Sequence, residues 1–152
     1  MRSLRSHLGI VTAALLACHP FAFGAPALMA QGTAAATSLA MDGRGSASTH
    51  VVKIGVLSVS TTAAAGLTLS VRSGSLTKAD GSTPVAFQVV LVDRDAAAPS
   101  SAAFMTPSGM IYTFATSSAV TVEKDLYIKY TPVPLQDPGS YTASVDLDVV
   151  DN

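Results

Sequence analysis

The stretch Asp137-Pro-Gly-Ser-Tyr-Thr-Ala-Ser-Val-Asp-Leu-Asp-Val-Val-Asp-Asn152 decides how the rest of the chain is read. From Tyr141 onward, Tyr141, Ala143, Val145, Leu147 and Val149 fall on one side of an extended backbone, and Thr142, Ser144, Asp146 and Asp148 fall on the other. That period of two marks a half-buried β-strand, read as Tyr141 to Val150. Asp137-Pro138-Gly139 supplies the turn that launches it, because proline presets φ and glycine accepts positive φ. No further strand is expected after this one. A sheet whose most regular strand is its last offers an unpaired neighbour position, and an edge of that kind accepts a strand from another chain.

The opposite end reads as a targeting segment. Arg2, Arg5 and His7 form a basic start, Leu8 to Ala17 an apolar run, and Phe21 to Ala30 an exit rich in small residues. Together they describe a Sec signal peptide over residues 1–30, and hence a secreted, extracellular or cell-surface protein. Gly24, Ala27 and Ala30 are each admissible ahead of the cut, with Ala30/Gln31 the junction expected. Leu15-Leu16-Ala17-Cys18 offers a competing reading, in which Cys18, the only cysteine, is a lipidated N-terminus.

Removing this segment takes Arg2 and Arg5 from nine Lys and Arg, leaving seven against ten Asp and Glu. A mildly acidic chain lacks the clustered basic patch of a nucleic-acid binder. A chain cut after Cys18 has no cysteine, so packing alone must hold it together. No other apolar run approaches the roughly 20 residues of a membrane span. Gln31 to Thr49 is rich in Ala, Ser, Thr and Gly and reads as a flexible arm, and residues 50–152 form one domain.

Within that domain, His50 to Ser60 is a strand carrying Val52, Ile54 and Val56 on one face. The pattern switches near Val56-Leu57, where Leu57 and Val59 continue it, as a β-bulge would produce. Leu67 to Arg72 and Val85 to Asp93 are further strands, with a loop around Leu76 between them. Arg94 to Gly109 is irregular, anchored by Phe104 and read as a crossover between sheets. Met110 to Ala115, Ala119 to Glu123 and Asp125 to Thr131 resume the alternation. The count is about seven strands and no helix, an all-β fold.

Asp137-Pro-Gly-Ser-Tyr141 ahead of an alternating run is similar to the tyrosine corner of immunoglobulin-like β-sandwiches, which makes Tyr141 a structural residue. In that strand order Tyr141 to Val150 is the sixth strand, and a seventh belongs beside it. Gly139, fourteenth from the last residue, followed by Ser-Tyr-Thr-Ala-Ser-Val-Asp-Leu-Asp-Val-Val resembles the terminal motif of chaperone–usher pilus subunits and of spore coat protein U-like secreted domains. The resemblance implies an incomplete immunoglobulin-like sandwich completed by a donated strand, self-assembly into a homopolymer, and an assembly chaperone as a further partner. Asp151 stands where usher-pathway subunits favour an aromatic residue, and the disulfide many of them carry is absent.

The expected function is a structural subunit of an extracellular filament, pilus or matrix fibre. Its subunit interface is drawn from Val52, Ile54, Val56, Leu57 and Val59 on one side and Tyr141, Val145, Leu147 and Val149 on the other. The donor is expected within Gln31 to Ser60. The alternative is a monomeric secreted adhesion or ligand-binding module using the Arg94 to Gly109 loop. Asp146, Asp148 and Asp151 with Asn152, and Asp93 with Asp95, supply oxygen ligands, but at a spacing that matches no calcium loop. His50 stands in no catalytic pattern with Ser or Asp, no glycine-rich nucleotide loop occurs, and Trp is absent. Neither an enzyme nor a cofactor is expected.

Overall fold

The fold is that of a computed structural model describing residues 4–9, 25–41, 47–81, 83–136 and 139–152. It is all-β. In chain order the strands are β1 (Leu4–Gly9), β2 (Ala27–Gly32), β3 (His50–Thr61), β4 (Leu67–Arg72), β5 (Ser75–Lys78), β6 (Val85–Asp93), β7 (Ile111–Ala115), β8 (Val120–Tyr130), β9 (Tyr141–Thr142) and β10 (Ser144–Asp151). Short 3₁₀ turns occupy Ala34–Thr37 and Ser101–Ala103. One sheet has the order β1-β10-β4-β7 and the other β2-β3-β8-β6-β5-β9, with every neighbouring pair antiparallel.

The larger sheet curls because two strand pairs change sheets together. Chain continuity carries β4 into β5 through Ser73-Gly74, and β9 into β10 through Ala143, so that β4 pairs with β10 in one sheet and β5 with β9 in the other. Bends of this kind make the corners between packed sheets. This corner is stitched from outside. The Phe87 N–H donates to the Gly74 carbonyl at 2.9 Å, Ser108 Oγ donates to the same oxygen at 3.1 Å, and the Gly109 N–H donates to Ser73 Oγ at 2.9 Å.

Between the sheets lies one apolar core, built from Leu57 and Val59 of β3, Leu67, Leu69 and Val71 of β4, Phe87 and Val89 of β6, Ile128 and Tyr130 of β8, and Val145, Leu147 and Val149 of β10. Each of these side chains is worth roughly 1.5–3 kcal/mol on full burial. A smaller cluster of Val90, Phe104 and Tyr127 lies on the opposite face of the larger sheet. Phe104 anchors the Arg94–Gly109 segment there, helped by Gln88 Nε2, which donates to the carbonyls of Phe104 and Thr106 at 3.1 and 2.7 Å.

Four elements depart from the sequence expectation. Ala119–Glu123 and Asp125–Thr131 are a single strand, β8, because Val120, Val122, Leu126, Ile128 and Tyr130 share one parity. The charged Glu123-Lys-Asp125 disguised that continuity. Lys124 sits at the inward parity near the end of the sheet, its Nζ over the Phe114 ring at 4.5 Å and paired with Asp93. A long lysine stem covers apolar surface while its charge reaches water. The face switch in β3 is a bulge at Ile54, between Lys53 and Gly55, slightly earlier than the alternation suggested. The expected terminal strand is interrupted at Ala143, where it crosses the corner, and Leu76, expected in a loop, is buried in β5.

Candidate functional site

The candidate site is a backbone edge, the side of β10 that faces away from β4 and is covered by β1. On its inner edge β10 pairs with β4 from Asp146↔Arg72 to Asp151↔Leu67. Val145, Leu147 and Val149 turn into the core and are 1%, 1% and 0% exposed, whereas Ser144 and Asp146 are exposed. Beyond the strand, the Asn152 N–H donates to the Gly66 carbonyl at 3.0 Å, and Asn152 Nδ2 donates to the carbonyls of Ala65 and Thr116 at 3.2 and 2.8 Å. Thr61 Oγ1 donates to Asp151, and Thr68 Oγ1 to Asn152 Oδ1 at 2.6 Å. The strand is therefore fixed along one edge and at its end.

The other edge of β10 carries β1. The register runs antiparallel from Leu4↔Val149 through Ser6↔Leu147 to Leu8↔Val145 and Gly9↔Ser144, setting Arg5 opposite Asp148 and His7 opposite Asp146. Alternate residues of an antiparallel strand exchange N–H and C=O bonds with a given neighbour, so β1 covers this edge from Ser144 to Val149. Residues 4–9 belong to the segment read from sequence as a signal peptide. Residues 27–30 belong to it as well, yet they open β2, which pairs with β3 from Ala27↔Ser60 to Gly32↔Gly55. Leu28 and Ala30 of β2 pack against the core.

The residues expected to form an interface fall into two groups. Ile54, Leu57, Val59, Val145, Leu147 and Val149 meet in the core, with Val52 and Tyr141 packed against it. Val56 lies at the other parity, opposite Gln31 on one side and Asp125 on the other. β3 is held on both edges within the chain, by β2 and, over eleven residue pairs, by β8. The stretch read as a flexible arm also contacts the domain. The Thr33 N–H donates to the Ile54 carbonyl at 2.9 Å, Ala36 is buried, Leu39 and Met41 pack on the core, and Tyr130 Oη donates to the Ala40 carbonyl at 3.2 Å.

Tyr141 lies in β9, just ahead of the bend at Ala143. Its hydroxyl accepts from Gln136 Nε2 at 2.8 Å, and the same buried amide donates to the Thr83 carbonyl at 3.0 Å and accepts from the Val133 N–H at 3.2 Å. Asp137 and Pro138 lie outside the described residues. Gly139 has φ +134°, a conformation that favours glycine.

The most unusual charge is Asp125, 1% exposed on β8. Lys53 Nζ donates to its Oδ2 at 2.6 Å, the Asp95 N–H donates to the same oxygen at 3.1 Å, and Arg94 Nη1 donates to Oδ1 at 3.2 Å. Burial alone would raise its pKa. The Lys53 hydrogen bond, the Asp95 N–H, the Lys53 charge and the Arg94 hydrogen bond together outweigh burial and hold the carboxyl below the ordinary aspartate range. Asp95 takes φ +59° to aim its N–H there. The sequence did not single this residue out, because Asp125 closes the charged run Glu123-Lys-Asp125, and nothing in it pointed to Lys53 on another strand.

Among the described residues no group of three His, Cys, Asp or Glu is placed to hold a metal ion. Asp93 pairs with Lys124, and Asp95 lies 3.5 Å from Arg94 Nε. His50 stacks on Tyr130 with ring centroids 5.2 Å apart. No helix among the described residues is long and apolar enough to cross a membrane. Comparison with known proteins found no matching family model, no matching curated protein and no matching solved structure.

Proposed function

We propose that the chain is a structural subunit of an extracellular filament, pilus or matrix fibre, an incomplete immunoglobulin-like β-sandwich that polymerises when each subunit accepts a strand from the next. One observation carries this reading. Among the described residues the outer edge of β10 is paired by Leu4–Gly9 alone, which lies inside the stretch with signal-peptide character, so export by the Sec route would leave that row of backbone groups open. The rest of the edge is already prepared, because Val145, Leu147 and Val149 are set in the core and the strand's end is clamped through Asn152.

The donor in this reading lies ahead of β3. His50–Thr61 is committed to its own sheet by two neighbours and by Ile54, Leu57 and Val59, all without exposure. By contrast β2 is an edge strand with no fully buried residue, and a cut after Gly24, one of the three admissible junctions, keeps it on the exported chain. Leu28 and Ala30 share one parity of β2, the alternation a donated strand needs. An assembly chaperone capping the β10 edge before polymerisation fits the same geometry.

Deletion of residues 25–49 from the exported chain tests the donor. The expected outcome is a folded, soluble protein that forms no fibres. Fibres indistinguishable from those of the undeleted chain would place the donor elsewhere.

A second reading, a monomeric adhesion module, is favoured by one observation. Met105 and Met110 are 87% and 59% exposed, on a stretch from Ala96 to Val122 that contains no charged residue. Such a loop suits an apolar target. A single monomeric species at all concentrations on a sizing column, with binding lost in Met105→Ser/Met110→Ser, is the result that selects this reading over the first.

A further inference from the structure

We infer that Leu4–Gly9 is a built-in plug of the β10 edge, a segment whose residue pattern matches that edge and holds it closed until the segment is removed. This rests on the reading of β10 as a strand acceptor and says how that acceptance is controlled.

The match has two components. Opposite the core-facing Val149, Leu147 and Val145, the register sets Leu4, Ser6 and Leu8, apolar at both ends and small in the middle. Opposite Asp148 and Asp146, on the other parity, it sets Arg5 and His7. Opposite charges facing one another across an antiparallel pair stabilise it, and like charges destabilise it. Arg5 and His7 are also the only two basic residues in the whole sequence spaced two apart, the spacing that places both on one face of a strand.

The donor assigned above has no such charges, since Ala27-Leu-Met-Ala-Gln-Gly32 is neutral throughout. With the plug in place, a neutral strand must displace one whose register sets Arg5 across from Asp148 and His7 across from Asp146. Once the plug is gone, the neutral strand meets an empty edge. The acidic outward row of β10 thus acts as a discriminator: it favours the cis segment before processing and opposes like-charged strands afterwards. It also deters indiscriminate pairing, as charges on exposed edges do in general.

Three proteins make the test: the full chain, the full chain carrying Arg5→Glu and His7→Glu, and the chain beginning at Ala25. All are produced without passage through an export pathway. Hydrogen exchange of the Ser144–Asp151 amides is measured first at high dilution, and fibre formation is then followed by electron microscopy at high concentration. The plug predicts slow β10 exchange and no fibres for the full chain. It predicts exchange faster by about tenfold or more in the other two, with fibres from both. Equal β10 exchange in all three proteins overturns the plug, and so does fibre formation by the full chain as fast as by the chain from Ala25. The expected difference in exchange without fibres from any protein upholds the plug and overturns the fibre reading instead.

Discussion

Asp125 shows how one residue can report on the whole fold. Its carboxylate is buried in β8, yet Lys53 from β3 and both the side chain of Arg94 and the backbone of Asp95 from the turn after β6 converge on it. Because its folded pKa is depressed, it contributes stability that is fully present above the unfolded-state value of about 3.9 and is lost as pH falls through the lower folded value. Lys53 and Arg94 are 28% and 38% exposed, so solvent screens part of their attraction. Asp125→Asn should therefore cost about 1–2 kcal/mol at neutral pH, and the gap to the unaltered protein should narrow below about pH 4. Melting curves from pH 7 down to pH 3 check this, and a gap independent of pH would show that Asp125 carries none of the acid sensitivity. Gly66 is the steric counterpart. It has φ +83°, and an added Cβ would fall 2.2 Å from the Thr116 carbonyl oxygen. Gly66→Ala should cost more than about 2 kcal/mol, a cost that chemical denaturation will register, because the contact is with backbone that cannot step aside.

At the scale of elements, what the sequence made legible was parity, and what it hid was partnership. Alternation alone identified the inward residues of β10, and Val145→Asp should accordingly bury an unpaired charge and prevent folding, whereas Ser144→Asp should shift the melting temperature by no more than a surface change does. Equal shifts for the two substitutions would mean that the strand is turned the other way. Parity also runs unbroken through β8, but the alternation reads from sequence as two strands broken at Lys124, because a charge at the inward parity looks like a break. In fact Lys124 covers Phe114 and Asp125 is neutralised by groups distant in sequence. The corners at Ser73-Gly74 and Ala143 were illegible for a related reason. Changing sheets depends on which strands lie on either side, and no local pattern of residues encodes that.

At the scale of the molecule, the all-β class followed from the spacing of turns and alternating runs, and the placement of the N-terminal segments did not. A small-residue segment such as Ala27–Gly32 has weak strand character of its own, and pairing with β3 is what orders it. The same holds for Leu4–Gly9, whose composition reads as export signal while its register reads as a strand complementary to β10. Both segments lie against strands whose other edges are satisfied, and this concentrates the adaptable part of the fold beside β3 and β10. The central claim is that the β10 edge is where subunits join. The most direct measurement is amide exchange of Ser144–Asp151 in assembled fibres of the chain lacking its signal segment, compared with the same amides in dissociated monomer. Strand acceptance predicts that alternate amides of β10, open in the monomer, become among the most protected in the fibre. Fibres in which those amides exchange as fast as in the monomer would contradict it.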